Sequence, residues 1–231
     1  MSETSGRGAA LITGASSGIG AVYADRLAQR GYDLILAARD EARLDTLADR
    51  LRVEAGVNVD VIRTDLTSRD DLRRLEARLR DDETITLLLN NAGAGLLTPF
   101  TECSADVCED LIQLNITAVT RLAAIGAASF KQRGRGAIIN VSSIVGLIPA
   151  FRSTVYGATK AYVLYLSESM NHELAGSGVT VQAVLPGATR TEIWARTGYG
   201  FENLPDEVLM DAEDLVDAAL AGLDQGELVT I

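Results

Sequence analysis

Apolar runs of five to seven residues alternate with longer amphipathic segments along nearly the whole chain, and this rhythm restricts the fold more than any other feature. The runs are Ala9–Thr13, Leu34–Ala38, Val57–Ile62, Ile85–Leu89, Ala137–Val141 and Val179–Leu185, with Glu227–Ile231 as a seventh. They lack strict polar alternation, which predicts strands covered on both faces, as in a parallel sheet flanked by helices. Helices are expected around Ile19–Arg30, Glu41–Ala55, Arg69–Arg80, Ala105–Gln132, Thr154–Ala175 and Asp211–Leu223. Regular strand–helix–strand order gives a doubly wound α/β fold with right-handed crossovers. No internal repeat, Pro-rich linker or low-complexity block divides residues 1–231, so a single domain is expected. Ligands of such a fold bind at the carboxyl ends of the strands.

The first run leads into Thr13-Gly14-Ala15-Ser16-Ser17-Gly18-Ile19-Gly20 and then a helix. Glycines there let the backbone turn tightly and approach a pyrophosphate, whose charge the helix N-terminus favours. The spacing G-x-x-x-G-x-G differs from the commoner G-x-G-x-x-G. The second run ends Ala37-Ala38-Arg39, where a fold that takes NAD carries an acid for the ribose hydroxyls. A small residue followed by a guanidinium instead suits a 2′-phosphate. NADP(H) is therefore expected over NAD(H), the competing reading being a solvated Arg39 whose charge Asp40 partly cancels.

Tyr156-Gly-Ala-Thr-Lys160, with Ser143 thirteen residues upstream, supplies parts for moving a proton on and off an alcohol oxygen. The i, i+4 spacing stacks phenol and ammonium on one helix face. A tyrosine titrates near pH ~10, so acting as a base near neutrality requires about 4 kcal/mol. One cation at ~4 Å supplies on the order of 4 kcal/mol at an effective dielectric of ~20.

A formal charge of -11 argues against a nucleic-acid partner. Cys103 and Cys108 are too few for a disulfide framework or a metal site, and read as two reduced thiols near a helix start. The polar first eight residues lack a signal-peptide core, and no apolar run approaches the ~20 residues of a membrane helix. A cytoplasmic setting without membrane partners is the expectation.

Taken in order, these motifs resemble the short-chain dehydrogenase/reductase family in its single-domain branch. The resemblance runs from Ala9 to about Thr191: the glycine motif, Asp65, Asn90-Asn91-Ala92-Gly93, Asn115, Ser143, Tyr156-x-x-x-Lys160 and Pro186-Gly187-Ala188-Thr189-Arg190-Thr191. It implies a Rossmann-type sheet in the order 3-2-1-4-5-6-7, and association through two long helices as a homodimer or homotetramer. Tyr156 would be the general acid in reduction and the base in oxidation, with Lys160 lowering its pKa and binding the nicotinamide ribose. Ser143 would bind the substrate oxygen, and Asn115 would hold a water near Lys160. Gly14, Ser16, Ser17, Gly18, Ile19 and Gly20 would cradle the cofactor. Asp65 and Leu66 would flank its adenine, and Asn91, Ala92 and Gly93 its adenine ribose. Pro186, Gly187, Ala188, Thr189 and Thr191 would hold the nicotinamide end.

The substrate pocket is expected from Ala94, Gly95, Leu96 and Leu97, from Ile144, Val145, Ile148 and Phe151, and from Trp194, Tyr199 and Phe201 within a substrate segment at 188–210. That mostly apolar lining suits a hydrophobic ketone or secondary alcohol. Two alternatives stand beside carbonyl reduction: a 3-oxoacyl thioester reductase, and a cofactor-sensing protein without turnover. No metal site is expected, and His172 has a structural or surface role. Family members normally continue past the strand that ends at Ile231, so a trimmed chain or a more open site is expected.

Overall fold

The computed structural model describes residues 6–149, 153–192 and 205–231. Seven parallel strands form the main sheet: β1 (Ala9–Thr13), β2 (Asp33–Ala38), β3 (Val59–Arg63), β4 (Ile85–Asn90), β5 (Gly136–Val141), β6 (Val179–Val184) and β9 (Val229–Thr230). Their order, β3-β2-β1-β4-β5-β6-β9, is the expected doubly wound arrangement with the seventh main-sheet strand at the edge. At its centre Leu11 lies between Ile35 of β2 and Leu88 of β4. All five residues of β1 are buried, which explains the unbroken apolar run.

Helices α1 (Gly18–Gln29), α2 (Glu41–Ala55) and α7 (Ala212–Asp224) cover one face, packing Tyr23, Leu27, Leu44, Leu51, Leu215 and Leu220 against it. On the other face α3 (Arg69–Asp81) and α5 (Val119–Arg133) contribute Leu72, Leu75, Leu79, Leu122 and Phe130. Starts are marked by side chains that accept from orphan amides: Asp40 from Arg43 N, Ser68 from Asp71 N and Ser104 from Val107 N. A buried polar chain ties the strand ends to α6 (Thr154–Glu173): Asn90 Nδ2 donates to Asn140 Oδ1 at 2.9 Å, and Asn140 Nδ2 donates to Ser167 Oγ at 2.9 Å.

The long helix expected over Ala105–Gln132 is α4 (Ala105–Ile112), a π-helical turn (Gln113–Ala118) and then α5. One inserted i→i+5 turn leaves the apolar period on both sides intact, so the pattern conceals it. The stretch Ala105–Arg133 is nevertheless long and apolar enough to cross a bilayer by length and composition, contrary to the expectation that no segment is. Here it serves as a core helix, with Leu122, Ala123 and Phe130 buried. A second sheet was not expected. In it β7 (Ala188–Thr189) pairs in parallel with β8 (Leu209–Met210), and Arg190 N donates to Met210 O at 2.9 Å. Arg190 reinforces the junction through ion pairs with Asp206 and Asp211.

Candidate active site

A cleft of about 1030 Å³ runs along the carboxyl ends of the strands, from Arg39 and Asp65 at one end to Ser143, Tyr156 and Lys160 near the other. Its volume lies at the upper edge of the ~300–1,000 Å³ typical of small-molecule sites.

The glycine loop leaves β1 at Gly14, whose φ of +67° excludes most side chains. Thr13 organises this junction. Its Oγ1 donates to Leu89 O at 3.2 Å and accepts from Asn91 N at 3.0 Å and Ala92 N at 3.1 Å. The Asn91 side chain turns onto the loop, donating to Thr13 O and Gly14 O. It therefore braces the loop as well as lining the cleft. Gly20 does not line the cleft. A Cβ there would lie 2.4 Å from Gly14 O and 2.5 Å from Asn91 Nδ2, so this glycine permits α1 to cross its own loop. Gly18 faces Thr191 across the cleft, where a Cβ would close to 3.2 Å. Ser17 starts α1 without a capping side-chain bond.

At the far end Arg39 is exposed and, among the described residues, makes no ion pair. The Asp40 carboxylate is engaged elsewhere, capping α2 through Arg43 N and pairing with Arg43 Nε at 3.5 Å. Asp65 lines the cleft while its Oδ1 accepts from Thr67 N and Thr67 Oγ1, so it also shapes the turn ahead of α3. Leu66, Ala92 and Gly93 complete this wall.

Ser143, Tyr156 and Lys160 converge on the opposite end. Ser143 Oγ donates to Pro186 O at 3.2 Å and accepts from Val145 N at 3.3 Å. Its neighbour Ser142 is buried and donates to Lys160 O at 2.7 Å, which fixes α6 to the end of β5. Lys160 is 6% exposed; its Nζ donates to Val141 O at 2.9 Å and lies 5.8 Å from the Tyr156 ring centre. Burial depresses the ammonium from its usual 10.5 to about 8. The Tyr156 phenol moves the other way: burial raises it, and a hydrogen bond with Ser143 offsets part of the rise. Removal from water sets the direction for the phenol, and Ser143 rather than Lys160 is the group that opposes it.

Asn115 stands behind the wall rather than on it. Its Nδ2 donates to Ala94 O at 3.0 Å and Thr159 Oγ1 at 3.1 Å, and its Oδ1 accepts from Ala94 N at 3.0 Å. The side chain expected to hold a water therefore clamps the strand-end segment to α6. Gly93 lies between Asn115 and Lys160; a Cβ would stand 3.2 Å from Asn115 Oδ1 and 3.5 Å from Lys160 Nζ.

Ala94, Gly95, Leu97, Ile144, Val145 and Ile148 line the substrate end, whereas Leu96 does not. Phe151, Trp194, Tyr199 and Phe201 lie outside the described residues. Pro205 and Val208 line the cleft from within the expected substrate segment at 188–210, though neither was singled out, and Leu114 lines it without having been expected there. The β7–β8 pairing delivers the first two, and two-residue strands leave no periodic signal. Pro186, Gly187, Ala188, Thr189 and Thr191 run beneath this end.

The narrow gap at Gly18, the space kept at Gly93 and the continuous lining fit a dinucleotide laid along the strand ends. Fold and site together define a nicotinamide-dependent oxidoreductase. The short chain dehydrogenase family model matches residues 8–199, and the chain belongs to that family. An uncharacterized oxidoreductase of Staphylococcus saprophyticus is 32% identical over 223 residues, covering 96% of this chain and 93% of that one. Very-long-chain 3-oxoacyl-CoA reductase of Anas platyrhynchos is 35% identical over 191 residues, covering 80% and 60%. Among solved structures, a short-chain dehydrogenase of Sphingobium yanoikuyae in complex with NADPH superposes with a TM-score of 0.94 at 55% identity, covering 97% of this chain and 87% of that one. The bulky-bulky ketone specific alcohol dehydrogenase of Comamonas testosteroni gives 0.89 at 52% identity, covering 97% and 85%. The chain is accordingly an NAD(P)-dependent dehydrogenase/reductase.

Proposed function

We propose that the chain is an NADP(H)-preferring oxidoreductase that interconverts an apolar ketone or aldehyde and the corresponding alcohol. The observation that carries this reading is the convergence of Ser143, Tyr156 and Lys160 on one end of a cleft whose other end presents Arg39. The cofactor supplies a hydride to the carbonyl carbon when bound. Gly14, Ser16, Ser17, Gly18 and Ile19 would hold its pyrophosphate region, Arg39 its 2′-phosphate, Asp65 and Leu66 its adenine, and Ala188 to Thr191 its nicotinamide end. Ser143 turns its hydroxyl from Pro186 O to the substrate oxygen. Tyr156, kept protonated by burial, donates its proton to that oxygen as charge develops there. Lys160 then stabilises the phenolate left behind. Asn115 contributes by holding Ala94 and Thr159 in place.

Leu97, Ile144, Val145, Ile148 and Val208 favour a substrate with apolar groups on both sides of the carbonyl. The Comamonas enzyme's specificity for bulky-bulky ketones supports this, and so does the NADPH of the Sphingobium structure for the cofactor preference. The 3-oxoacyl thioester reading retains support from the 35% identical duck reductase. A single-domain cytoplasmic enzyme, a substrate segment at 188–210 and a homodimer or homotetramer complete the proposal. The test is a ketone and 3-oxoacyl thioester panel assayed with NADPH and NADH. Expected are NADPH-linked turnover of ketones flanked by two large groups, and a loss of roughly 10²–10⁴-fold in Tyr156→Phe with NADPH binding retained. Undiminished activity in Tyr156→Phe would overturn the mechanism. Turnover confined to thioesters would overturn the substrate assignment.

A further inference from the structure

Cys103 and Cys108 are the only two cysteines of the chain, and both are half-buried. Their Sγ atoms stand 3.1 Å apart. A disulfide needs ~2.05 Å between sulfurs, so about 1 Å of approach would join them. Cys103 ends the short 3-10 turn Phe100–Glu102, directly before Ser104, the cap of α4, and Cys108 lies in the opening turns of that helix. Nothing in the proposed carbonyl chemistry uses either thiol.

We propose that Cys103 and Cys108 form a reversible dithiol–disulfide site, oxidised by a small, uncharged disulfide. The pair shares one hydrogen bond, and that bond, with burial, holds the Cys103 thiol above the usual thiol range. Cys103, whose thiol is the raised one, serves as the resolving member of the pair. The Cys108 thiolate attacks one sulfur of the oxidant and expels the other half as a thiolate, which takes up the proton. Cys103 then loses its proton and attacks the Cys108 sulfur of the mixed disulfide, releasing the second half as a thiol. Two electrons and two protons pass from the pair to the oxidant, which leaves as two thiols. Glu102, Asp106, Glu109 and Asp110 neighbour the pair in sequence, and their charge disfavours an anionic oxidant. Once formed, the bond would fasten the end of the segment that carries Gly95 and Leu97 to the start of α4.

The experiment treats the full chain with 2-hydroxyethyl disulfide, follows with a thiol alkylator, and weighs both the intact protein and the tryptic peptide. No lysine or arginine lies between Asp81 and Thr120, so both cysteines fall in one peptide. Expected are a monomer two hydrogen atoms lighter, no alkylation, and full recovery of both thiols after dithiothreitol. In Cys108→Ser, Cys103 should instead retain one hydroxyethylthio group, because nothing resolves the mixed disulfide. The proposal is overturned if the wild-type chain keeps such adducts, if two chains become linked, or if both thiols remain alkylatable.

Discussion

Lys160 Nζ donates to the carbonyl oxygen of Val141 at 2.9 Å, so the last residue of β5 receives the one ammonium that, among the described residues, reaches the catalytic end of the cleft. A charge held there is expensive. Depression of its pKa from 10.5 to about 8 corresponds to about 3 kcal/mol of native-state cost when the group is protonated.

Lys160→Met should therefore stabilise the fold at pH 7 while abolishing turnover. Losing the donor to Val141 O takes back roughly 1–3 kcal/mol, leaving a net gain of about 1 kcal/mol. Between pH 8 and 10.5 the unfolded wild-type chain binds more protons than the folded one, so wild-type stability rises and the advantage of the variant fades. Above pH ~10 the raised phenols of Tyr23 and Tyr156 destabilise both proteins alike. Urea unfolding at pH 7 and pH 10 measures the difference; a variant less stable than wild type at pH 7 would contradict the assignment of burial as the cause.

Arg39→Ala should raise the Michaelis constant for NADPH by roughly 10–100-fold, the worth of a charge-assisted contact to a phosphate. The constant for NADH should change little, because Asp40 is already engaged by Arg43 and no released carboxylate compensates. Steady-state kinetics with both cofactors decides; equal shifts would remove Arg39 from the 2′-phosphate.

Asn115→Leu deprives Ala94 N and Ala94 O of their partner and leaves Thr159 Oγ1 without that donor. A loss of about 2–4 kcal/mol in stability is expected from buried groups left unsatisfied. Activity should fall further than unfolding explains, since Thr159 precedes Lys160 on α6. Chemical denaturation alongside kcat at a temperature where the variant is folded separates the two effects. Normal kcat in a destabilised variant would confine Asn115 to the fold.

Gly146→Ala tests how tightly Ser143 is held to α6. The new Cβ would lie 2.8 Å from Ala161 N and 2.9 Å from Lys160 C, both backbone atoms that cannot rotate aside. Overpacking of this kind costs about 1–3 kcal/mol. It should push the 3-10 turn Ile144–Gly146 away from the helix and lower kcat at least tenfold, with NADPH binding near normal. Wild-type kcat would show that the two elements move apart without consequence.

The sheet could be read from the chain because burial on both faces removes polar residues from each strand and leaves them in the helices. Strand order followed once the motifs fell in sequence. The π-helical turn could not, since residues Gln113–Ala118 keep an apolar pattern compatible with an unbroken helix. Nor could the work of Asn91 and Asn115 be read, because an amide that bonds backbone far away in sequence leaves no mark beside it. Spacing placed Tyr156 and Lys160 on one helix face. It said nothing of solvent, and solvent exclusion sets the direction in which each titrates.

The pairing of β7 with β8 has a bearing on how such a catalyst diversifies. It pins Thr189 and Leu209 to one small ladder, separate from the seven main strands. The stretch between these two posts can lengthen, shorten or exchange its residues without disturbing a register in the main sheet. Doubling the length of a connection costs only about 0.6 kcal/mol in closure entropy. A lineage carrying this chain could thus retailor the molecules it accepts by splicing one interval, while the proton-transfer groups stay anchored to β5 and α6.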